Sequence, residues 1–238
     1  MIFIGDIHGN FKKLLQLFNE GSFKDTTFIQ VGDFGVGFRP IEKEIEYLTP
    51  VNDWLVENNN FLYAFRGNHD NPKYFEDCPF NFSNIRFLKD FSVIQVEGKN
   101  ILTLGGAISI DRLTRKLNVS YWEDEQLPII IPDIKDIVPE DIKIDIVSTH
   151  NCPSFVWPTE FNDVVRNFIK MDKNLEHELI NERKRLDLLY SKILTHNKIS
   201  PKLWVYGHMH KTITTQYEEC IFQCCGIDYF FEHNIESL

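Results

Sequence analysis

Phe65-Arg66-Gly67-Asn68-His69-Asp70 is the stretch that decides the fold, because it places polar side chains directly after a buried strand. Residues 60–65 are apolar and aromatic without a helical period, which predicts a buried strand that ends at the turn residue Gly67. Open α/β sheets place their ligand sites at the carboxyl ends of strands. Asn68 offers a neutral oxygen and His69 an imidazole at that point. The sequence therefore predicts a ligand site built at strand ends.

Four other clusters repeat the arrangement of a strand followed by aspartate or histidine. They are Gly5-Asp6-Ile7-His8-Gly9, Gly32-Asp33, Ser148-Thr149-His150 and Gly207-His208-Met209-His210. Aspartates after strands often cap helices or form turns, but their adjacency to histidines favours metal ligation. We expect His208 and His210 to alternate in an extended segment, so that both side chains share one face.

The side chains of these clusters limit the metal ions that the site could hold. Two carboxylates, four imidazoles and one amide supply only oxygen and nitrogen ligands, which suit Mn, Fe, Zn, Co or Ni. Seven ligands are too many for one tetrahedral ion, so we expect two divalent ions with Asp33 as a shared ligand. The first set is then Asp6, His8, Asp33 and His210, and the second is Asp33, Asn68, His150 and His208.

Such a pair of ions suits chemistry at phosphorus. Two metal ions about 3.5 to 4 Å apart stabilise both the attacking and the leaving oxygen of an in-line displacement. Two divalent ions, two aspartates and a bridging hydroxide would leave a net charge of roughly +1, which attracts phosphate. Asn68 matters here because a third carboxylate would cancel that charge.

Bulk composition limits the partners. A chain of 238 residues, 43% of them hydrophobic, is long enough for one α/β domain. The net charge of -10 argues against sequence-independent binding to nucleic acid or to an anionic membrane. Met1 precedes an apolar strand without a basic leader, and no apolar run approaches the ~18 residues that span a bilayer, so we expect a cytoplasmic protein.

Strands and helices alternate along the chain. A helix is predicted from the cap residue Asn10 to Gly21, and two helical pieces, 41–48 and 51–56, are predicted on either side of Thr49-Pro50. A strand is predicted over 141–148. Short strands from residue 85 onward predict a second, more antiparallel sheet.

Two further segments are predicted to lie near the site or outside the core. Residues 109–126 are expected to form a long surface loop that covers the site. Its basic residues Arg112, Arg115 and Lys116 are expected on a solvated face, with substrate contact as the alternative. Residues 161–196 have a helical pattern, with a buried stripe at Leu175, Leu179, Leu186, Leu189 and Ile193. We interpret this segment as a helical insertion covering about residues 154–200.

The ordered set Asp-x-His, Gly-Asp, Gly-Asn-His-Asp, His and Gly-His-x-His, which runs from Asp6 to His210, resembles the signature of calcineurin-like metallophosphoesterases. The resemblance implies an α/β fold: a four-layer αββα sandwich of two mixed sheets flanked by helices, with the helical insertion, in one domain over 1–238. It also implies the division of metal ligands given above, with a metal-bridging hydroxide as nucleophile and manganese as the ion expected to support activity.

The resemblance also implies two catalytic residues. His69 is expected near the scissile phosphate as a general acid rather than on a metal. Phe65-Arg66-Gly67-Asn68-His69 looks like the phosphoprotein phosphatase branch, in which the arginine contacts phosphate; a salt bridge to a core carboxylate is the alternative for Arg66. That branch carries an Asp-Arg pair where this chain has Val36 and Gly37, which weakens the phosphoprotein assignment.

We therefore expect a metal-dependent hydrolase of phosphate monoesters or diesters that acts on phosphorylated small molecules, nucleotides or peptides. The alternatives are a serine/threonine phosphoprotein phosphatase, a diadenosine polyphosphate hydrolase and a non-catalytic adaptor on the same fold. An adaptor would be expected to have lost ligands, and every ligand position is filled. A protein phosphatase needs an open groove, whereas the covering loop and the helical segment predict a narrow entrance.

Overall fold

A computed structural model describes residues 1–158 and 161–232, and it contains two mixed β-sheets. Thr159 and Glu160, within the predicted insertion, and residues 233–238 lie outside the described residues. The strands of the first sheet are β1 (Ile2–Ile4), β2 (Thr27–Gln30), β3 (Phe61–Phe65), β4 (Ile85–Leu88) and β11 (Phe230–Glu232). Their order is β11-β1-β2-β3-β4, and β11 runs antiparallel to β1 while the other neighbours are parallel.

The second sheet has the order β5-β6-β7-β8-β10-β9. Its inner pairs are parallel, and the pairs at its two edges are antiparallel. Its strands are β5 (Ser92–Val96), β6 (Lys99–Leu104), β7 (Ile146–Thr149), β8 (Leu203–Tyr206), β9 (Ile213–Tyr217) and β10 (Cys220–Cys224).

Helices lie on the outer faces of both sheets. The α-helices of the described chain are α1 (Phe11–Gly21), α2 (Ile41–Glu57), α3 (Lys73–Glu76), α4 (Asp163–Met171) and α5 (Leu175–Asn197). Short 3-10 helices occur at Arg112–Thr114, Ile134–Asp136 and Ser154–Val156. Within the described residues, none of the helices combines the length and the apolar character that a bilayer crossing requires.

The alternation of side chains along the strands separates the molecule into four layers. In β1, Ile2 and Ile4 pack in the cluster that contains α1 and α2, while Phe3 packs between the sheets. In β8, Leu203 faces the first sheet, and Trp204 packs in the cluster that contains α5. The layers are therefore helix, sheet, sheet, helix, and the predicted αββα sandwich of two mixed sheets is confirmed.

Helix α1 begins where the sequence predicts. The Asn10 side chain accepts a hydrogen bond from the backbone N–H of Lys13 (3.3 Å), which satisfies one free donor of the first turn. Gly21 is the last helical residue, and Ser22 adopts the left-handed conformation at φ 51°.

Helix α2 differs from the prediction because it continues through Pro50. Proline removes one helical N–H donor and usually interrupts a helix. Leu48 and Val51, on either side of the proline, are both fully buried against the first sheet together with Leu55. The expected break at Thr49-Pro50 is therefore wrong, because packing of one continuous apolar face outweighs the missing hydrogen bond.

Helix α5 forms the outer layer of the second sheet. The whole predicted stripe is buried, and Leu186, Leu189 and Ile193 pack with Trp204 and Phe222 of the sheet. The structure therefore places this part of the predicted insertion in the main core. The strong charge of this segment suggested a peripheral position, but most of its charged residues lie on the outer face, and Glu182 and Arg183 are buried.

Three strands differ from expectation. Strand β4 was expected to begin the second sheet, but it pairs in parallel with β3 at the edge of the first sheet. Strand β7 begins at Ile146 rather than at residue 141, because the backbone N–H and C=O of Ile144 pair with the Asn197 side chain (3.0 and 2.7 Å). Strand β11 was not predicted, and it pairs with β1 at the edge of the first sheet.

Candidate metal centre

The predicted metal ligands converge into two groups that share one residue. Each residue of a group offers a ligand atom within 4.8 Å of the others. The groups are Asp6, His8, Asp33 and His210, and Asp33, His150 and His208.

Asn68 joins the second group through its amide oxygen. Its Oδ1 lies 3.1 Å from His150 Nε2, and its Nδ2 donates to Ser109 Oγ (3.0 Å). The Ser109 contact turns the amide oxygen toward the group. Sequence analysis did not single out Ser109, because a serine at the start of a polar loop carries no local signal of this role.

The spacing of the ligand atoms fits divalent ions. Bonds of about 2.1 Å to nitrogen and oxygen place neighbouring ligand atoms roughly 3.0 to 3.4 Å apart and opposite ones about 4.2 Å apart. His8 Nε2 and His210 Nε2 are 3.1 Å apart, and His210 Nε2 is 3.2 Å from Asp6 Oδ2. In the second group His150 Nε2 is 3.2 Å from Asp33 Oδ1.

Two buried carboxylate oxygens point to the same conclusion. Asp6 Oδ2 and Asp33 Oδ2 have no hydrogen-bond partner among the described residues. The other oxygen of each carboxylate accepts a backbone N–H, from His208 (3.1 Å) and His69 (2.6 Å) respectively. Buried carboxylate oxygens without donors are costly unless a cation binds them, so the residues present fit a metal centre.

His150 is held by the backbone behind it. Its Nδ1–H donates to the Val31 carbonyl oxygen (2.9 Å), which leaves Nε2 to face the ligand group. Burial alone would lower the pKa of His150, but the Asp33 carboxylate raises it to about 9. Burial opposes the ionisation of Asp33, yet His150 holds the pKa of Asp33 well below its usual range. Without metal the two residues form an ion pair, and a bound cation would displace the proton.

Four of the predicted ligands adopt a backbone conformation that is rare for residues other than glycine. The φ angles of His8, Asp33, His208 and His210 are 49°, 56°, 64° and 51°. Left-handed residues with side chains cost energy and concentrate at functional sites. The expected extended segment at His208 and His210 is therefore wrong: the chain turns after β8 and sends the two imidazoles to different ligand groups.

Two glycines allow the clusters to approach one another. A Cβ at Gly67 would overlap the Asp33 carboxylate, and one at Gly32, whose φ is 91°, would overlap the His150 ring. The glycines that precede Asn68 and Asp33 are therefore required by close packing at the site.

Asp70 organises the two loops that carry Asp33 and Asn68. Its carboxylate is fully buried and accepts four backbone N–H groups. The donors are Phe34 (3.1 Å), Gly35 (2.7 Å), Val36 (3.1 Å) and Gly67 (2.8 Å). The sequence showed Asp70 beside His69 but gave it no role, because three of its four partners lie about 35 residues away in the chain.

Arg66 is engaged entirely by the protein. Its guanidinium makes two hydrogen bonds to Asp90 Oδ2 (3.0 and 2.7 Å) and three to backbone carbonyl oxygens, so all five N–H groups are used. The carbonyls belong to residues 124–126. This is the salt-bridge alternative, and it leaves no donor for the phosphate contact that the sequence favoured.

A different arginine reaches the site. Arg115 Nη2 donates to His69 Nε2 (2.6 Å), and its Nε lies 2.8 Å from Asp111 Oδ1. Its Nη1 is buried and has no hydrogen-bond partner among the described residues. Burial and the Arg115 cation both lower the pKa of His69. The expectation that Arg115 lies on a solvated face is wrong.

Residues 109–126, here called the lid loop, are fixed at both ends by buried charges. Glu182 of α5 accepts the N–H groups of Ile108 (3.1 Å) and Leu127 (3.0 Å), which flank the loop. Arg112 within the loop binds Asp172 (2.7 Å). Together with the Arg66 contacts, these bonds hold Arg115 over the ligand groups.

A cleft of about 400 Å³ opens between the ligand groups, the lid loop and helix α4. Its polar lining includes Asp33, Asn68, His69, Arg115, His208 and His210. A larger cleft of about 610 Å³ lies on the outer face of α5, and its lining residues include none of the seven predicted ligands. The smaller cleft is therefore the candidate active site.

Comparison with known proteins identifies the family of the chain. A family model for the calcineurin-like phosphoesterases matches residues 1–212. The chain is similar to the solved structure of an archaeal phosphodiesterase, with 14% identity over 95% of this chain and 84% of that one (TM-score 0.37). It is also similar to phosphopantetheinyl hydrolase from Mycobacterium tuberculosis, with 15% identity over 95% of this chain and 89% of that one (TM-score 0.43). A third similar structure is that of GAP50, the anchor in the inner membrane complex of Plasmodium, with 13% identity over 95% of this chain and 71% of that one (TM-score 0.46).

The family match covers every cluster from Asp6 to His210. The family uses divalent metal ions, and the two ligand groups are suited to hold them. The chain therefore belongs to the calcineurin-like phosphoesterase family and is a metal-dependent phosphoric ester hydrolase.

Proposed function

We propose that the chain hydrolyses phosphate esters of small molecules at a centre of two divalent ions. The observation that carries the proposal is the convergence of the ligands into two groups that share Asp33. The ligands are Asp6, His8, Asp33 and His210 for one ion, and Asp33, Asn68, His150 and His208 for the other.

When bound, the two ions would supply positive charge for the phosphoryl oxygens and lower the pKa of a water that serves as nucleophile, with manganese as the expected activator. The chain's own residues fix the ligands. Asp6 and Asp33 are oriented by backbone N–H groups, His150 by the Val31 carbonyl, and Asn68 by Ser109. Fixed ligands need little reorganisation during the reaction.

Arg115 takes the phosphate-binding role that the sequence assigned to Arg66. Its buried Nη1 faces no acceptor among the described residues, and it lines the same cleft as the ligands. A guanidinium donates charge-assisted hydrogen bonds to non-bridging phosphate oxygens. Asp111 holds the guanidinium at its Nε side.

His69 is the proposed general acid for the leaving oxygen. In the free chain Arg115 donates to His69 Nε2, so the imidazole is neutral and carries its proton on Nδ1. A bound phosphate would accept the Arg115 donor and add negative charge beside the ring, which favours the imidazolium. His69 could then donate a proton to the departing alcohol.

The dimensions of the cleft support a small-molecule substrate over a phosphoprotein. Ligand pockets for small molecules typically enclose about 300 to 1,000 Å³, and this cleft encloses about 400 Å³. The lid loop and α4 both contribute to its walls, through Ile110 and Phe168 among others. Such walls restrict access by a folded protein partner.

The first experiment measures hydrolysis of p-nitrophenyl phosphate and bis(p-nitrophenyl) phosphate by the manganese-loaded protein. Arg115→Met should lower kcat/KM about 10²- to 10³-fold, equivalent to roughly 2.7 to 4 kcal/mol, with the metal content unchanged. Arg115→Lys should recover part of the loss, because a point charge lacks the bidentate fork. Lys116→Met removes an exposed charge from the same loop and is the matched control. Absence of hydrolysis with two ions bound would contradict the proposed function.

The role of His69 is tested by comparing leaving groups. His69→Asn should reduce turnover of an alkyl phosphate about 10²- to 10⁴-fold, because the basic alkoxide cannot leave without a proton. The loss on p-nitrophenyl phosphate should be much smaller. Equal losses on both substrates with both ions retained would reject the general-acid role.

A further inference from the structure

Arg183 of α5 is a buried cation without a carboxylate partner among the described residues. Its exposure is 2%, and its Nε has no hydrogen-bond partner within that part of the chain. The adjacent Glu182 is occupied by the N–H groups of Ile108 and Leu127 and by Asn151. Among the described residues Arg183 therefore has no salt bridge, although the Glu182 carboxylate and the Cys152 thiol act on its charge from nearby.

The guanidinium of Arg183 lies at the wall of the active-site cleft. Its Nη1 donates to the Leu179 carbonyl oxygen (3.2 Å), its Nη2 is 4.0 Å from Met209 Sδ, and its Cζ is 3.7 Å from the centroid of the Trp157 ring. Leu179, Met209, Trp157 and Arg183 itself all line the cleft beside His208. A ligand in the cleft would therefore meet this guanidinium.

An unpaired buried guanidinium is costly, since buried charges are normally paired or bound to ligands. The Leu179 carbonyl oxygen, the Cys152 thiol, the Met209 thioether and the Trp157 ring compensate only part of the lost hydration. The protein carries a net charge of -10, yet the nearby Glu182 carboxylate is bound to other donors and forms no salt bridge with Arg183. An anion in the cleft would supply the missing partner.

The remaining walls near Arg183 are apolar. Ile110 of the lid loop and Val165 and Phe168 of α4 line the cleft together with Trp157, and they pack around one small hydrophobic cluster. Such walls suit the hydrocarbon or aromatic body of a substrate. The cleft thus combines a phosphate-binding floor, an apolar wall and a second cation.

We propose that the substrate carries a second anionic group, a phosphate or a carboxylate, which pairs with Arg183 and is joined to the scissile phosphate through an apolar or aromatic body. The proposal rests on the proposed function, because it concerns the substrate class of the same cleft. Arg115 binds the phosphoryl group that is cleaved, and Arg183 recognises the leaving group.

The test compares three esters: phenyl phosphate, 4-carboxyphenyl phosphate and 1,4-phenylene bisphosphate. Each variant is compared with the unmodified protein on the same ester, so that the intrinsic reactivity of the leaving group cancels. Arg183→Met should lower kcat/KM for the two doubly anionic esters at least 10-fold more than for phenyl phosphate, mainly through KM. If Arg183→Met lowers kcat/KM more for 1,4-phenylene bisphosphate, the second group is a phosphate. If it lowers kcat/KM more for 4-carboxyphenyl phosphate, the second group is a carboxylate.

Two further variants separate recognition from folding. Arg183→Lys keeps the charge and should retain part of the preference for doubly anionic esters. Lys184→Met removes an exposed charge from the next position of α5 and should leave the preference unchanged. Equal changes on all three esters in Arg183→Met and Arg183→Lys, or no change, would overturn the proposal and leave Arg183 as a packing partner of Trp157.

A binding measurement distinguishes this proposal from the proposed function. Calorimetry should give a Kd for 4-carboxyphenylphosphonate at least 10-fold lower than for phenylphosphonate, and Arg183→Met should remove the difference. Equal affinities for the two phosphonates would overturn the assignment of Arg183 even if phenyl phosphate is hydrolysed. If no ester is hydrolysed but the two phosphonates still differ in Kd, the proposed hydrolysis is contradicted and the second anion site is not.

Discussion

Replacing Asp70 by asparagine tests whether one buried carboxylate holds the two ligand loops together. Each oxygen of Asp70 accepts two backbone N–H groups: Oδ1 from Gly35 and Val36, and Oδ2 from Phe34 and Gly67. In either orientation the amide of asparagine turns its NH₂ group toward two of these donors. Two hydrogen bonds to a charged acceptor are then lost, at about 1.5 to 3 kcal/mol each. We expect Asp70→Asn to lower the free energy of unfolding by about 3 to 6 kcal/mol.

The assay is urea unfolding at pH 8, compared between the two proteins. Burial and the nearby Asp33 carboxylate raise the pKa of Asp70 to about 7, so at pH 8 the carboxylate is ionised. Asp145→Asn is the control: Asp145 accepts one N–H, from Asn100 (2.8 Å), and an amide oxygen can replace that contact. The free energy of unfolding of Asp145→Asn should fall by less than about 1.5 kcal/mol. A loss below about 1 kcal/mol in Asp70→Asn would refute the four-donor arrangement.

Two further predictions concern the buried charges that support the lid loop. Arg66→Met should lower the free energy of unfolding by about 3 to 5 kcal/mol and speed proteolysis of the lid loop. The change leaves Asp90 Oδ2 and the carbonyl oxygens of Asp124 and Gln126 without the donors that Arg66 supplies. Unchanged stability with a large loss of turnover would favour the phosphate contact instead. Burial raises the pKa of Glu125 to about 7 in the folded chain. The unfolded chain releases the same proton near pH 4.3. The free energy of unfolding should therefore fall as pH rises from about 5 to about 7, by up to about 1.4 kcal/mol per pH unit. Glu125→Gln should make this fall shallower in urea titrations with chelator present; an identical pH dependence would contradict the shift.

The convergence of the predicted ligands could be expected from the sequence because each follows a strand, and parallel strands bring their carboxyl ends to one edge. His8 and His210 are about 200 residues apart in the chain, yet their Nε2 atoms are 3.1 Å apart. Strand order and the two-sheet architecture supply that contact. The residue types and their positions after strands were therefore sufficient to predict which side chains lie close together.

The partners of arginine side chains were not predictable in the same way. Arg66 stands beside the ligand Asn68, but its acceptors are Asp90 and the backbone of residues 124–126, which no local pattern indicates. Arg115 sits in a loop without periodicity, so nothing in the sequence distinguished it from Lys116. Long side chains on irregular backbone are positioned by tertiary contacts alone.

Helices were misjudged where packing outweighs local signals. Pro50 suggested a break in α2, but the buried face formed by Leu48 and Val51 continues across it. The charge of α5 suggested an insertion, although one narrow stripe that includes Leu186 is enough to cover a sheet. Local propensity is a weak guide where one face of a helix is fully buried.

The central claim is that Asp33 belongs to both metal sites, and metal content tests it most directly. Protein purified without chelator should contain close to two divalent ions per chain by elemental analysis. Asp33→Ala should contain close to none, because a shared ligand serves both ions, while Asp6→Ala should keep about one. The exposed Asp53 of α2 provides the control Asp53→Ala, which should keep both. An unchanged content of two ions in Asp33→Ala would contradict the shared ligand.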